Sequence, residues 1–243
     1  MMPAALPTLP APFEGVALSE AASGRDADLD GNLVSLESIL WPEPMAQALE
    51  GLLRRWGPGD RRAAASLWTQ GYFGRLLRPV VAYGLVHDIW FSLAPADVRV
   101  ALSVTATPVR FVLKRVAPAS VSTHLHRIVE DNVRPLISRL ARMTGTSERV
   151  HWSNASFSFC RAHAHVRALW PDGGIPADVA ARLRELEALT AAAHPLCRPT
   201  LTVSDGAGAA CLRRKVCCIR YKLDGLKKCG TACPIDAPLS SLP

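Results

Sequence analysis

No apolar run in this chain approaches the roughly twenty residues that a bilayer-crossing helix needs. The most hydrophobic stretch, Leu76-Leu77-Arg78-Pro79-Val80-Val81-Ala82-Tyr83-Gly84-Leu85-Val86, is eleven residues long. It reads as a buried helix kinked near Pro79 rather than a membrane span. Lys and Arg are missing from the first twenty-four residues, and Pro3, Pro7, Pro10 and Pro12 interrupt any apolar segment there. No secretory leader is expected, so a cytoplasmic, reducing compartment is. Walker loops, dinucleotide-binding Gly motifs and Gly-x-Ser-x-Gly elbows are all lacking, which removes the usual signatures of nucleotide and serine-hydrolase chemistry. The remaining composition, 49% hydrophobic and 20% charged over 243 residues, is that of an ordinary globular chain able to bury its own core.

What the chain does have is a knot of cysteine. Four of its seven cysteines, Cys217, Cys218, Cys229 and Cys233, fall within seventeen residues near the C-terminus. A chain of this length needs no disulfide staples, so thiols gathered in a reducing compartment point to a metal centre. Zinc and iron–sulfur are the two candidates. Cys229 and Cys233 could form a zinc knuckle, whereas the adjacent Cys217 and Cys218 point to opposite faces of an extended strand. Two adjacent ligands to one ion would need a sharp bend, and a larger two-iron group is easier for them to reach. That argument favours iron–sulfur and leaves zinc open.

The run Arg213-Arg214-Lys215-Val216-Cys217-Cys218-Ile219-Arg220-Tyr221-Lys222-Leu223, the ten residues between Cys218 and Cys229, and the closing Cys233-Pro234 resemble the C-terminal signature of FhuF-like ferric-siderophore reductases. In that family a Cys-Cys pair, ten residues, a Cys, two residues and a last Cys bind one [2Fe–2S] cluster. Here three residues, Gly230-Thr231-Ala232, separate the last two cysteines. The departure makes Cys233 the least secure ligand of the four, with Cys211 or Cys197 as substitutes. Trp68 to Val86 and Trp152-Ser153-Asn154 are similar to further elements of the family, the latter to a Trp-x-Asn element that could equally be a packing position.

The resemblance implies a mainly helical α+β protein with a small antiparallel β-hairpin or sheet and an irregular C-terminal Fe–S segment. The expected organisation is a loop-rich segment over 1–40, a helical body over 41–193 and a [2Fe–2S]-binding segment over 194–243. The implied reaction passes one electron from the cluster to a ferric siderophore, without a general acid or base. The implied partners are that siderophore and an electron donor such as a ferredoxin or a flavin-dependent reductase, with peripheral contact to the inner membrane a further expectation. Nucleic acid is not expected. A structural zinc module on the same cysteines is the rival reading, and a siderophore-assembly protein is a third.

The residues between fill in this outline. Asp26, Asp28, Asp30, Gly31 and Glu37 match the spacing of an EF-hand calcium loop, but Pro10, Pro12, Pro42 and Pro44 deny it the flanking helices that the motif demands. A solvated acidic loop is the expected outcome. Met45, Leu49, Leu52 and Trp56 predict a helix that Gly57-Pro58-Gly59 ends, and Asp60 can cap the next one. Val98–Val104 and Val109–Lys114 read as a β-hairpin. Helices are expected from Ser120, with a bend at Pro135, from Thr146-Ser147, and from Pro176 to Ala193; residues 194–212 read as a connection. The pairs His124/His126 and His163/His165 face about 200° apart on a helix and are expected to be ordinary packed or surface histidines. Cys160 is expected to be a small buried side chain. From Arg213 to Pro243 seven basic residues meet two acidic ones, a net +5 of the chain's +7. Such a tail can offset the charge of an anionic cluster, or dock an acidic donor or an anionic iron chelate.

Overall fold

The computed structural model describes residues 18–20, 33–191, 194–204 and 210–235. The acidic loop from Asp26 to Asn32 lies outside the described residues, and Glu37 sits in a four-residue helix, α1 (Leu36–Ile39), after strands β1 (Leu18–Glu20) and β2 (Leu33–Ser35). The chain then folds as the expected mainly helical α+β protein. Helix α2 (Pro42–Trp56) starts with Pro at its first turn, where a missing N–H does no harm, and buries Met45, Ala48, Leu49 and Leu52. Gly57, at φ 89°, ends it.

Asp60 caps α3 (Arg61–His87) by accepting a hydrogen bond from the Arg62 amide. This 27-residue helix is about 40 Å long and forms the axis of the molecule. Pro79 lies inside it, so the expected helix is there and runs on past the proline. Ala63, Ala64, Trp68, Tyr72, Phe73, Leu76, Leu77, Val80 and Val81 on α3 are all fully buried. Tyr72 stacks on Trp68, meets Phe111 edge-on and donates its hydroxyl to Asn132 Oδ1 at 3.1 Å.

Beside α3 lies a five-stranded sheet in which β3 (Phe91–Ser92), β4 (Arg99–Leu102) and β5 (Pro108–Arg115) join β1 and β2. The β4–β5 hairpin is the one the alternating valines foretold, with Val100 opposite Phe111 and both side chains in the core. Among the described residues only β1 pairs in parallel, against β5. Ser120 caps α4 (Val121–Ile128), which passes through a π-helical turn over Val129–Val133 into α5 (Arg134–Thr144). Pro135, where a bend was expected, falls in the first turn of α5, right after this looser turn, where its missing amide hydrogen does no harm.

Ser147 caps α6 (Glu148–Arg167), which packs along α3, and α7 (Ala177–Ala191) crosses against α3 and α4. The segment expected as a plain connection carries a second hairpin, β6 (Thr200–Ser204) with β7 (Ala210–Arg214), where Thr202 pairs with Leu212. Its strands are five residues each, and the flanking prolines and glycines masked their pattern in the sequence. Among the described residues no helix is long and apolar enough to cross a membrane.

Candidate metal centre

Strand β7 delivers Arg213 and Arg214 to the body, and the chain beyond it turns sharply. Ile219 takes a left-handed conformation, φ 50°, rare for a β-branched residue, and its amide donates to Cys217 Sγ at 3.3 Å. This is the bend that two adjacent cysteines require. A 3₁₀ turn over Arg220–Lys222 follows, and Leu223, fully buried, pairs its backbone with Gly59 ahead of α3. Arg220 closes the loop by donating to the carbonyls of Lys227 and Lys228 at 2.9 and 3.1 Å.

The result brings Cys229 Sγ to 3.8 Å from Cys218 Sγ. The extra residue before Cys233 is absorbed by a 3₁₀ turn over Gly230–Ala232, opened by Gly230 at φ 63° and closed by the Cys233 amide on Gly230 O at 2.8 Å. Cys233 is thereby buried. Cys218 faces Cys229, and Cys233 lies near enough to act electrostatically on both Cys217 and Cys229. All seven cysteines are free thiols. Among the described residues, no three or more His, Cys, Asp or Glu side chains converge on one ion position.

The electrostatics favour one sulfur anion, at Cys218. The hydrogen bond shared with Cys229 pulls the Cys218 thiol down to about 6 against the cost of burial, with help from the charges of Arg214 and Arg220. Cys229 is pushed up for the complementary reason: it holds the proton facing its partner's thiolate. Burial raises Cys217. Of the proposed substitutes, Cys197 belongs elsewhere, packed beside Thr190 and Cys160, whereas Cys211 on β7 stands with Cys229 along one cavity. Cys160, expected to be buried, is only half-buried against the core; burial of its thiol pushes it up to about 11.

The tail is fastened to the body by a buried polar network whose pieces come from three places in the sequence. Arg214, only 5% exposed, donates from Nη1 to Ser153 O and Asn154 Oδ1 at 2.8 and 2.9 Å, and lies 4.2 Å over the Phe157 ring. Asn154 spends its amide hydrogens on Ser66 and Thr69 of α3. Ser66 Oγ donates to Cys218 O at 2.6 Å, and Ser153 Oγ to Val216 O at 2.9 Å. The Trp-Ser-Asn element singled out in the sequence is thus a clamp on the cysteine segment, formed by its Ser and Asn. Trp152 itself is half-buried beneath the Arg134 guanidinium. Neither the clamp nor Arg214's part in it was visible in the spacing; only the basic pair before the double cysteine hinted at it.

The histidines fall mostly as expected. His124 is buried and stacked 4.6 Å from Trp90, and His163 contacts Glu187. His165 is half-buried, faces Arg78 and lines the same cavity as Cys229.

Fold and site together define an α+β protein with a thiol-rich, basic tail held on a helical body by buried side chains. A family model described as Ferric iron reductase FhuF-like transporter matches residues 66–201, more than half of the 243. The chain belongs to the FhuF-like ferric iron reductase family. The match begins at Ser66 and spans His151, Ser153 and Asn154, so it covers the body half of the clamp and ends before the four clustered cysteines. A search of curated proteins returned no match.

Proposed function

We propose that this chain is a cytoplasmic ferric-siderophore reductase whose Cys217, Cys218, Cys229 and Cys233 hold a [2Fe–2S] cluster. The observation that carries the reading is the gathering of four free thiols, Cys218 facing Cys229, on a body of the ferric iron reductase family. Thiols that do not converge on one ion position among the described residues suit a two-iron group better than a single zinc that would draw all four donors to one point. A bound cluster of this kind supplies single electrons by outer-sphere transfer.

The chain's own residues do the rest. Arg214 and Arg220 place positive charge beside Cys218 and favour its thiolate, while Ser66 and Ser153 fix the backbone carbonyls on either side of Cys217. The reaction moves one electron and no heavy atoms: Fe³⁺ in the siderophore becomes Fe²⁺, and a reduced ferredoxin or flavin-dependent reductase is oxidised. Hard oxygen donors hold Fe²⁺ far less tightly than Fe³⁺, so the metal is released. The net +5 of the tail suits an acidic donor.

Oxygen-free purification, visible and EPR spectra after dithionite, and iron and sulfide analysis test this reading. A coloured protein with two irons and two sulfides per chain is expected, and Cys233→Ser should alter its spectrum. A colourless protein holding one zinc would replace the reading with the structural zinc module. An unchanged Cys233→Ser spectrum would move the fourth ligand elsewhere, with Cys211 the nearest choice.

A further inference from the structure

Beside the cysteine group a cavity of about 550 Å³ opens between α3, α6 and the tail, within the range of small-molecule sites. Its contact with the thiols is made through Cys229; Cys217, Cys218 and Cys233 do not line it. Its charge is one-sided. Arg78 comes from α3, Arg161 from α6, and Arg214 and Arg220 from the tail, and among the described residues no Asp or Glu lines the wall.

Two of these cations are committed: Arg214 to the clamp and Arg220 to the carbonyls of its own loop. Arg78 and Arg161 are not matched by any carboxylate in the cavity. Arg78 donates to His165 Nδ1 at 3.4 Å, its Nε is buried without a partner, and Arg161 acts on it as a like charge. Gln70 Nε2, on the same wall, is likewise buried without an acceptor. Burial of donors without acceptors is costly, and four guanidiniums around one concavity without a carboxylate leave a field that an oxygen-rich anion would relieve.

We infer that this cavity binds a ferric chelate of net negative charge, of the tricatecholate or hydroxycarboxylate class, in preference to a neutral trishydroxamate, with Arg78, Arg161 and Gln70 donating to its oxygens. The inference rests on the ferric-siderophore reading of the same site and adds the substrate class to it. A macromolecular donor would need an outward face, and these residues look into a hollow; a chelate seated there lies against Cys229.

Redox-inert gallium complexes test the assignment without any electron transfer. Calorimetric titration of the full chain with Ga³⁺-tricatecholate, Ga³⁺-citrate and neutral Ga³⁺-trishydroxamate should show an anionic complex binding at least about tenfold more tightly than the neutral one, with the preference collapsing near ~0.5 M salt as charges are screened. Arg161→Gln, at an exposed position, and Arg78→Gln should each weaken that binding about fivefold or more, with the thermal midpoint of Arg161→Gln unchanged. Equal affinity for the neutral complex, no salt dependence, or wild-type affinity in Arg161→Gln would each overturn the assignment. A chain that binds the anionic gallium complex yet reduces no ferric chelate would refute the reductase reading and leave the cavity assigned. A chain that reduces neutral and anionic chelates equally would do the reverse.

Discussion

Asn154 engages both ends of its amide, and nothing around it can take over either role. Its Oδ1 accepts from the buried Arg214 guanidinium, and its Nδ2 serves Ser66 and Thr69. Asn154→Ala would leave a buried cation and three α3 oxygens short of a partner, so a loss of about 2–4 kcal/mol is expected in urea unfolding. Wild-type stability in that variant would show that Arg214 finds equal support from Ser153 alone. One turn earlier, fully buried His151 faces the same network through Thr69, its Nδ1 3.1 Å from Thr69 Oγ1 and its Nε2 without a partner. The Thr69 hydroxyl donates to Ser66 O, so the neutral ring must donate from Nδ1. Burial lowers this histidine to about 4, below the roughly 6.5 of an unfolded chain. Between those values the unfolded state binds the extra proton, so stability is complete above about pH 6.5 and drains away as pH falls toward 4, by about 2–3 kcal/mol. Urea midpoints at pH 7 and 4.5 should therefore fall further in wild type than in His151→Gln. Equal falls would mean that carboxylates alone set the acid limit.

At the scale of elements, the turns decide the site. Gly230 opens the 3₁₀ turn that leads to the buried Cys233, at φ 63° and with open space where a Cβ would stand. A side chain there meets no neighbour, and the cost is backbone strain alone, about 1–2 kcal/mol for a residue forced left-handed. Gly173 offers a control, at φ 89° with equally open surroundings in the loop before α7. Gly230→Val should lower iron retained after oxygen-free purification, whereas Gly173→Val should lose comparable stability and keep its iron. Equal iron in the two would detach the turn from the centre. The sequence was readable where local rules govern: Asp60, Ser120 and Ser147 cap helices, and alternating valines form β4 and β5. The adjacency of Cys217 and Cys218 demanded a bend, and Ile219 makes it. The β6–β7 hairpin escaped notice because its short strands lie among Pro195, Pro199, Gly206 and Gly208. The pairing of Arg214 with Asn154 escaped for another reason: sixty residues separate them, and no local pattern records a contact made only by the finished fold.

Over the whole molecule, the cysteine segment and the helical body hold each other in place. Two serines from different helices grip the segment, Ser66 on the carbonyl of Cys218 and Ser153 on that of Val216, while Leu223 and the Gly59 bridge anchor the far side of its loop. Whatever binds the thiols must therefore stabilise the body, since binding to the native state alone shifts the unfolding equilibrium. The thermal midpoint of metal-loaded protein should lie above that of chelator-stripped protein, and the difference should vanish in Cys218→Ser. The clamp itself is tested by Ser66→Ala with Ser153→Ala. Each removes one hydrogen bond to the tail, so the stripped protein should lose only about 1–3 kcal/mol in all. The gap between loaded and stripped midpoints should shrink, because the centre then keeps only the Arg214 contact and the Leu223 and Gly59 anchors on the far side of its loop. A gap as wide in the double variant as in wild type would mean that the tail folds around its ligand independently, with the family body serving only as its neighbour.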